Sequence, residues 1–442
     1  MPQRTDHRYP LAPALTLAVS LDTRGGFVCQ DALPEGTCVA DMTWMLAVDY
    51  RASGRWALPG VTTWQGEREC FTQYLEPNEA GARLINLTGI TRLDNICLVA
   101  KRCRLAPRAT LLGFMPPALS DEPLLILAPH PDDAELAAYG LYQRHAQDSW
   151  IVTLTAGERQ KRLDQQYLPG LDGDAASASR RKGEIRAWNS ATTPQLAGVT
   201  ADRLIMLGYF NDTLTTLLAE PDQDVPSIEA PDLTPALFRR WNTRALPTDS
   251  PRDSLCGQPL EEGPRNRGAD LLEDLIGLIE HIRPGVVVVT HPEIDPHPDH
   301  RATARALALA LAQTQHQPRE VLLYANHLKG VRGFPRGPAH AAAGVWPLDQ
   351  QDSGFGPWRL YSETLDDETI RQKAVALHSM HDLHVRVNLD KRLKRGIARR
   401  LGGLPADAWK DYGPHDYFQT HLKAHEVFAV IDTAMFVARF SA

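Results

Sequence analysis

None of the six cysteines stands in a C-x-x-C pair, which speaks against a cysteine-built zinc cage. Five of the six lie within the first 103 residues. Two readings of them stay open: an oxidised framework, or free buried thiols in a reducing compartment, the blander of the two. Long apolar runs are missing as well. No stretch approaches the ~18 residues that a membrane span requires. An excess of positive charge is also lacking. The formal net charge is −7, so a broadly basic face for nucleic acid is not expected. The segment Leu11 to Leu21 imitates the core of a secretory signal, with Arg4 and Arg8 before it. Pro13 interrupts it, no small-x-small site follows, and Ala14 to Leu21 alternates apolar with small polar residues, so it reads as a half-buried strand. These features together lead us to expect a cytoplasmic protein.

What is present is a globular composition, 43% hydrophobic and 23% charged, over 442 residues. That length exceeds one ordinary core and predicts two domains. Residues 1–118 carry short strand-like runs, TLAVSL, MLAVDY, RLINLTG and ICLVA, divided by Gly, Pro and Asp turns. They read as a small β-rich, sandwich-like domain with at most one helix. From 119 to 442 the rhythm alternates. Leu124 to Ala128, Trp150 to Thr155, Arg203 to Gly208, Val286 to Thr290 and Glu320 to Ala325 read as strands. Helices are expected at Ala134 to Ala146, Arg180 to Ala191, Leu271 to Ile282 and Ala302 to Thr314. The expected fold class is therefore α/β: a Rossmann-like, mostly parallel sheet flanked by helices, with an irregular insertion at 213–268.

Two polar clusters follow apolar strands. His130, Pro131, Asp132 and Asp133 come directly after Leu124 to Ala128, and His291 to His300 (HPEIDPHPDH) directly after Val286 to Thr290. In open α/β sheets ligands sit at the carboxyl ends of the strands, so both clusters are expected on one edge. Charge crowded there needs a counter-ion. Imidazole and carboxylate suit zinc, and Fe(II) or Co(II) would accept the same donors. His130, Asp133 and His300 can supply three ligands and leave a position for water. Asp132 is then free to take the water's proton. His297 is placed to meet an oxyanion or a departing amine.

His-Pro-Asp-Asp-Ala-Glu after an apolar strand, with His-Pro-Asp-His downstream, resembles the LmbE-like (PIG-L) zinc-dependent N-deacetylases. That family removes acetyl groups from N-acetylated amino sugars, including those of glycolipids. The resemblance covers roughly 123 to 330, more faintly to about 436, and not the first 118 residues. It implies His130, Asp133 and His300 as zinc ligands, Asp132 as general base and His297 at the oxyanion and leaving nitrogen. Asp299 is expected to orient a neighbouring histidine. Softer matches are TLTAGE with Glu158, RKGE with Arg181 as a sugar-reaching arginine, and LGYFND with Asn211 and Asp212 on the substrate side.

Each position also has a plainer reading. Asp132 and Asp133 suit a helix N-terminus, Glu158 a helix cap and Arg181 an exposed helix face. His378, His381 and His384 suggest packed or solvated histidines before a second metal. Lys391 to Arg400 suggests a solvated face before a phosphate site. Arg239, Arg240, Arg244 and Trp241 suit a glycan lid on the insertion. The expected function is removal of N-acetyl from an N-acetylhexosamine unit of a glycan or glycolipid, with peripheral membrane contact open and oligomeric state undetermined. Hydrolysis of another amide or ester, or glycan binding without catalysis, are the rival readings.

Overall fold

The computed structural model describes residues 2–55, 58–119, 122–168, 170–242, 265–329, 331, 333–348, 355–384, 393, 397, 412 and 416–441. Arg244 and nearly all of Lys391 to Arg400 lie outside the described residues, together with the roles considered for them. The chain divides into two compact units. The first joins 1–117 with 331–371 and 386–430; the second joins 118–330 with 372–385 and 431–442. The sequence reading divides the chain once, at 118/119. Compactness returns two later segments to the first unit and closes the second with its own C-terminal pieces.

The first unit is β-rich. Leu15–Leu21, the segment that imitates a signal core, is a strand whose Leu17, Val19 and Leu21 are buried on alternate positions. It pairs antiparallel with Cys103–Phe114, which pairs in turn with Thr43–Ala52, inside a six-stranded sheet. A separate three-stranded sheet holds Gly60–Gln65 between Arg68–Tyr74 and Ile96–Lys101. Among residues 2–117 the described helical structure is a single 3-10 turn at Val39–Asp41. A further antiparallel ladder runs from Arg359 opposite Val430 to Thr364 opposite His425.

The second unit alternates strands and helices. Its strands Leu204–Tyr209, Ser149–Thr155, Leu124–Ala128, Val286–Thr290 and Glu320–Tyr324 are parallel neighbours in that order. In chain order this is 3-2-1-4-5. Strand order therefore reverses between Leu124–Ala128 and Val286–Thr290, the place where an open sheet forms a crevice at its carboxyl edge. All five residues of each of these two strands are buried, as β-branched and leucine-rich runs covered on both faces must be.

Helix boundaries shift from the expected ones in an instructive way. Ala175–Thr192 begins five residues early because Asp174 caps it, accepting a hydrogen bond from Ser177 N. The helix expected from Ala302 begins at Pro298, whose fixed φ suits the first helical position. That start makes His297 the N-cap, which decides its chemistry. No helix among the described residues is long and apolar enough to cross a membrane.

Candidate metal centre

The two loops beyond Leu124–Ala128 and Val286–Thr290 bring three donor atoms together. His130 Nδ1 and Asp133 Oδ2 are 3.2 Å apart, Asp133 Oδ2 and His300 Nε2 also 3.2 Å, and His300 Nε2 and His130 Nδ1 3.3 Å. This near-equilateral triangle has the dimensions of one face of a metal tetrahedron: donors ~2.0 Å from zinc stand about 3.3 Å apart. Burial is nearly complete, with Asp133 and His300 at 2% and 0% exposure.

The outer partners assign the protons. His300 Nδ1 lies 2.9 Å from Asp295 Oδ2, and His130 Nε2 lies 3.1 Å from Asp299 Oδ2. A carboxylate only accepts, so those outer nitrogens carry hydrogen in the neutral rings and the inner nitrogens present lone pairs. Three acceptors then converge with no proton between them, which is tolerable only around positive charge. Ionisation tells the same story. Burial opposes a charged His300, yet Asp133 and Asp295 push it up to about 10. His130 is likewise raised against burial by Asp133 and Asp299. Asp133, despite burial, is held well below the carboxylate range by His300 and His130. Without an ion the site takes protons; the donor set fits a divalent cation.

His297 is different, although it lies within 4.8 Å of His130 and His300, donor atom to donor atom. As N-cap its Nδ1 accepts from Asp299 N at 3.2 Å. A neutral ring with a receiving Nδ1 carries its hydrogen on Nε2, so His297 faces the site as a donor and not as a ligand. Burial and the neighbouring His130 and His300 lower it to about 4, which keeps it neutral. Its Nε2 stands 3.8 Å from Asp212 Oδ1.

Asp132 occupies the N-cap position of Asp133–Arg144, but its side chain makes no capping bond. Helix capping therefore does not account for it. Burial pushes it up to about 6, and Arg186, 3.3 Å from Oδ2, works in the opposite direction. Asp133 Oδ2 accepts from His130 N at 2.9 Å, closing the loop on itself. Asp299 is fully buried: Oδ2 holds His130 and accepts from Asp212 N at 2.7 Å, while Oδ1 has no hydrogen-bond partner among the described residues.

The softer expectations divide. Asp212 joins the cluster, ion-paired to Arg159 Nη1 at 2.5 Å and to Lys161 at 3.3 Å. Glu158 is buried behind it; its carboxylate accepts from Asn211 N and Ser227 Oγ, and burial pushes it up to about 7. Neither a helix cap nor an exposed group, Glu158 ties the Asn211 loop to the second strand. Arg181 does not enter the cluster. Nearly half exposed, it forms a bidentate pair with Asp172, and it is Arg186, more than one turn further along the same helix, that reaches Asp132. Arg239, considered for a lid, is buried against Asp274 and Leu207 O. Arg240 covers the Trp241 ring at 4.8 Å and pairs with Glu184. His381 bonds Asn189, and neither His378 nor His381 joins a metal-binding group among the described residues; the side chain of His384 lies outside them.

Three participants escaped the sequence reading. Asp295 orients His300 and also accepts from Asn326 N and His327 N. Asn326 Nδ2 donates to Asp133 Oδ1 at 2.8 Å. His327 brings a ring nitrogen within 4.8 Å of the inner donors of Asp133 and His300. The last two follow the strand Glu320–Tyr324, and that position at the shared carboxyl edge was the available signal.

Residues 125–311 match the family model PIG-L, described as GlcNAc-PI de-N-acetylase. Among solved structures, the chain is similar to a deacetylase triple mutant from the teicoplanin biosynthetic pathway, at 18% identity, over 70% of this chain and 98% of that one, with a TM-score of 0.31. It is similar to a conserved protein of Thermus thermophilus, at 18% identity over 64% and 89%, with a TM-score of 0.28. A third is GalB, the 4-carboxy-2-hydroxymuconate hydratase of Pseudomonas putida, at 14% identity over 70% and 96%, with a TM-score of 0.32. No curated protein sequence matches. The match to the PIG-L model spans the segment that holds both polar loops, His130 to Asp133 and His291 to His300.

Proposed function

We propose that the protein is a zinc-dependent hydrolase that removes the N-acetyl group from an N-acetylhexosamine unit of a glycan or glycolipid, releasing acetate. The observation that carries this reading is the 3.2–3.3 Å donor triangle with Asp132 and the His297 donor beside it. Zinc bound there would lower the pKa of a coordinated water to roughly 7 and polarise a carbonyl. His130, Asp133 and His300 would hold the ion. Asp132 accepts the proton of the attacking water on its carboxylate and passes it to the nitrogen as the C–N bond breaks. His297 Nε2–H donates to the carbonyl oxygen as that oxygen gains charge. Asp212, within reach of His297, offers a carboxylate to sugar hydroxyls. The substrate class follows the family description, GlcNAc-PI de-N-acetylase, and the additional β-rich unit favours a carrier larger than a monosaccharide, such as a surface polysaccharide or lipopolysaccharide precursor.

The test incubates zinc-loaded protein with free N-acetylglucosamine, an N-acetylated oligosaccharide and an N-acetylglucosaminyl lipid, following primary amine and acetate together. Equimolar amine and acetate, with the larger acceptors faster, is expected. Turnover confined to acyl-amino acids or esters would replace the sugar reading, and binding without any turnover would replace the enzyme reading.

A further inference from the structure

Asp132 sits at φ +116° and ψ −25°, a backbone conformation that L residues rarely hold. Such a residue persists only where its surroundings over-determine it. One side chain is placed to do that. Arg186 Nη2 donates to Pro131 O at 2.6 Å and stands 3.3 Å from Asp132 Oδ2, so a single guanidinium grips the carbonyl before the strained residue and the carboxylate upon it. The planar fork of arginine presents Nη2 to Pro131 and Asp132 and Nη1 to Asp382 at once, and a lysine ammonium at the same place is a point charge without that fork. Arg186 is 8% exposed. Its second arm, Nη1, is ion-paired with Asp382, and Lys182 Nζ lies 3.2 Å from the same carboxylate. Asp382 comes from the late segment 372–385, nearly 200 residues downstream.

The neighbouring loop leaves room for this arm. Gly157 has φ +61°, and a Cβ there would stand 2.6 Å from Arg186 Nε. That Nε is buried and has no hydrogen-bond partner among the described residues. The orientation of the guanidinium is therefore set by its two ends alone: Pro131 and Asp132 on one, Asp382 on the other.

We infer that Arg186, anchored by Asp382, is the positioning residue that fixes the Asp132 carboxylate and the strained turn beneath it. The kinetic part of this inference rests on the hydrolase reading above; the structural part does not. Arg186 touches no donor of the triangle, so its loss leaves the ligands in place and misdirects Asp132. A misplaced base costs turnover more than substrate affinity, and displacement of ~1 Å is enough for about a hundredfold.

The experiment compares full-length, zinc-loaded wild type with Arg186→Ala, Arg186→Lys and Asp382→Asn. Zinc stoichiometry, amide hydrogen exchange and turnover of N-acetylglucosamine-bearing substrates are read on each. In Arg186→Ala, zinc content is retained, kcat falls about a hundredfold and KM changes by less than about threefold. Guanidinium at millimolar concentration restores part of kcat, because it refills the vacated arm. Exchange quickens at Asp133 N and Leu136 N, whose bonds to His130 O and Asp132 O close the turn, while the parallel strands stay protected. Asp382→Asn shows the same pattern more weakly. Arg186→Lys remains impaired in kcat and keeps the fold even if the alanine variant does not.

Unchanged exchange at the turn together with wild-type kcat in Arg186→Ala overturns the inference, as does full activity in Arg186→Lys. Zinc loss in proportion to kcat loss, without guanidinium rescue, reduces Arg186 to a structural group and also overturns it. If wild type turns over none of these substrates, the hydrolase reading fails, and the exchange measurement still decides the clamp.

Discussion

Buried charge is handled in two opposite ways in the two units. In the β-rich unit Arg83 is almost fully buried, and its donors are answered in place: Nε by Glu76 at 3.0 Å, Nη2 by Glu79 at 2.8 Å, Nη1 by Thr5 O and Ala82 O. Burial would raise Glu76, and Arg83 more than offsets it, so that carboxylate sits below its ordinary range. The set is closed. At the sheet edge of the second unit, by contrast, the outer nitrogens of His130 and His300 are answered by Asp299 and Asp295, while the inner ones converge with Asp133 at 3.2–3.3 Å. One cluster answers its cation in place; the other aims three donor atoms at a common point. Completeness of hydrogen bonding, not charge density, separates a structural cluster from a site.

That contrast breaks first at the triangle. Asp133→Ala or His300→Ala is expected to abolish zinc retention and reduce turnover to background, checked by metal analysis after gel filtration. Full zinc content in either variant would remove the ligand assignment. Asp132→Asn should keep zinc and lose about 10²–10⁴-fold in kcat, since it removes the proposed general base and leaves the three-donor triangle intact. His297→Ala should also keep zinc and lose about 10²–10³-fold. Zinc loss in this variant would show that His297 is a ligand and that its proton assignment is wrong.

In the closed cluster the outcome should be of another kind. Arg83→Met leaves buried Glu76 with only the more distant Arg336, at 3.6 Å, as cation among the described residues and should cost about 3 kcal/mol of stability. Thermal unfolding reports the loss, while zinc stoichiometry of the folded protein stays at the wild-type value. The paired Glu76 gives a pH signature with a definite sign. Its folded-state pKa is depressed, so its contribution is present above the unfolded value and is lost as pH falls through the folded one. The gap in stability between wild type and Arg83→Met should therefore narrow on acidification below ~4.5. The smallest effect belongs to Arg181→Ala. Its pair with Asp172 is exposed and screened, and kcat/KM should change by less than about threefold.

The limits of sequence reading are visible in two arginines on one helix. Arg181 stood in a recognisable Arg-x-x-Glu setting, yet the helix turns it toward Asp172; Arg186 stood in none, yet it reaches Asp132. Helical periodicity tells which residues share a face but not where that face points. His297 shows the same limit. Its spacing placed it near the site, while the start of the helix at Pro298 made its Nδ1 an acceptor and so made it a donor at Nε2.

By itself the sequence determined the alternating strands and helices of the second unit, the β character of the first, and the two polar loops at one edge. These are local matters: apolar runs must be covered, and a strand's polar ends must emerge where the strand stops. Only the tertiary structure decided which donors meet. The 3-2-1-4-5 strand order sets His130 and Asp133 beside His300 across 167 or more residues of chain, and brings Asn326, His327 and Asp382 from later segments. Hydrogen-bond distances of ~3 Å between side chains so far apart in sequence are a property of packing, and packing has no period that a single chain can display.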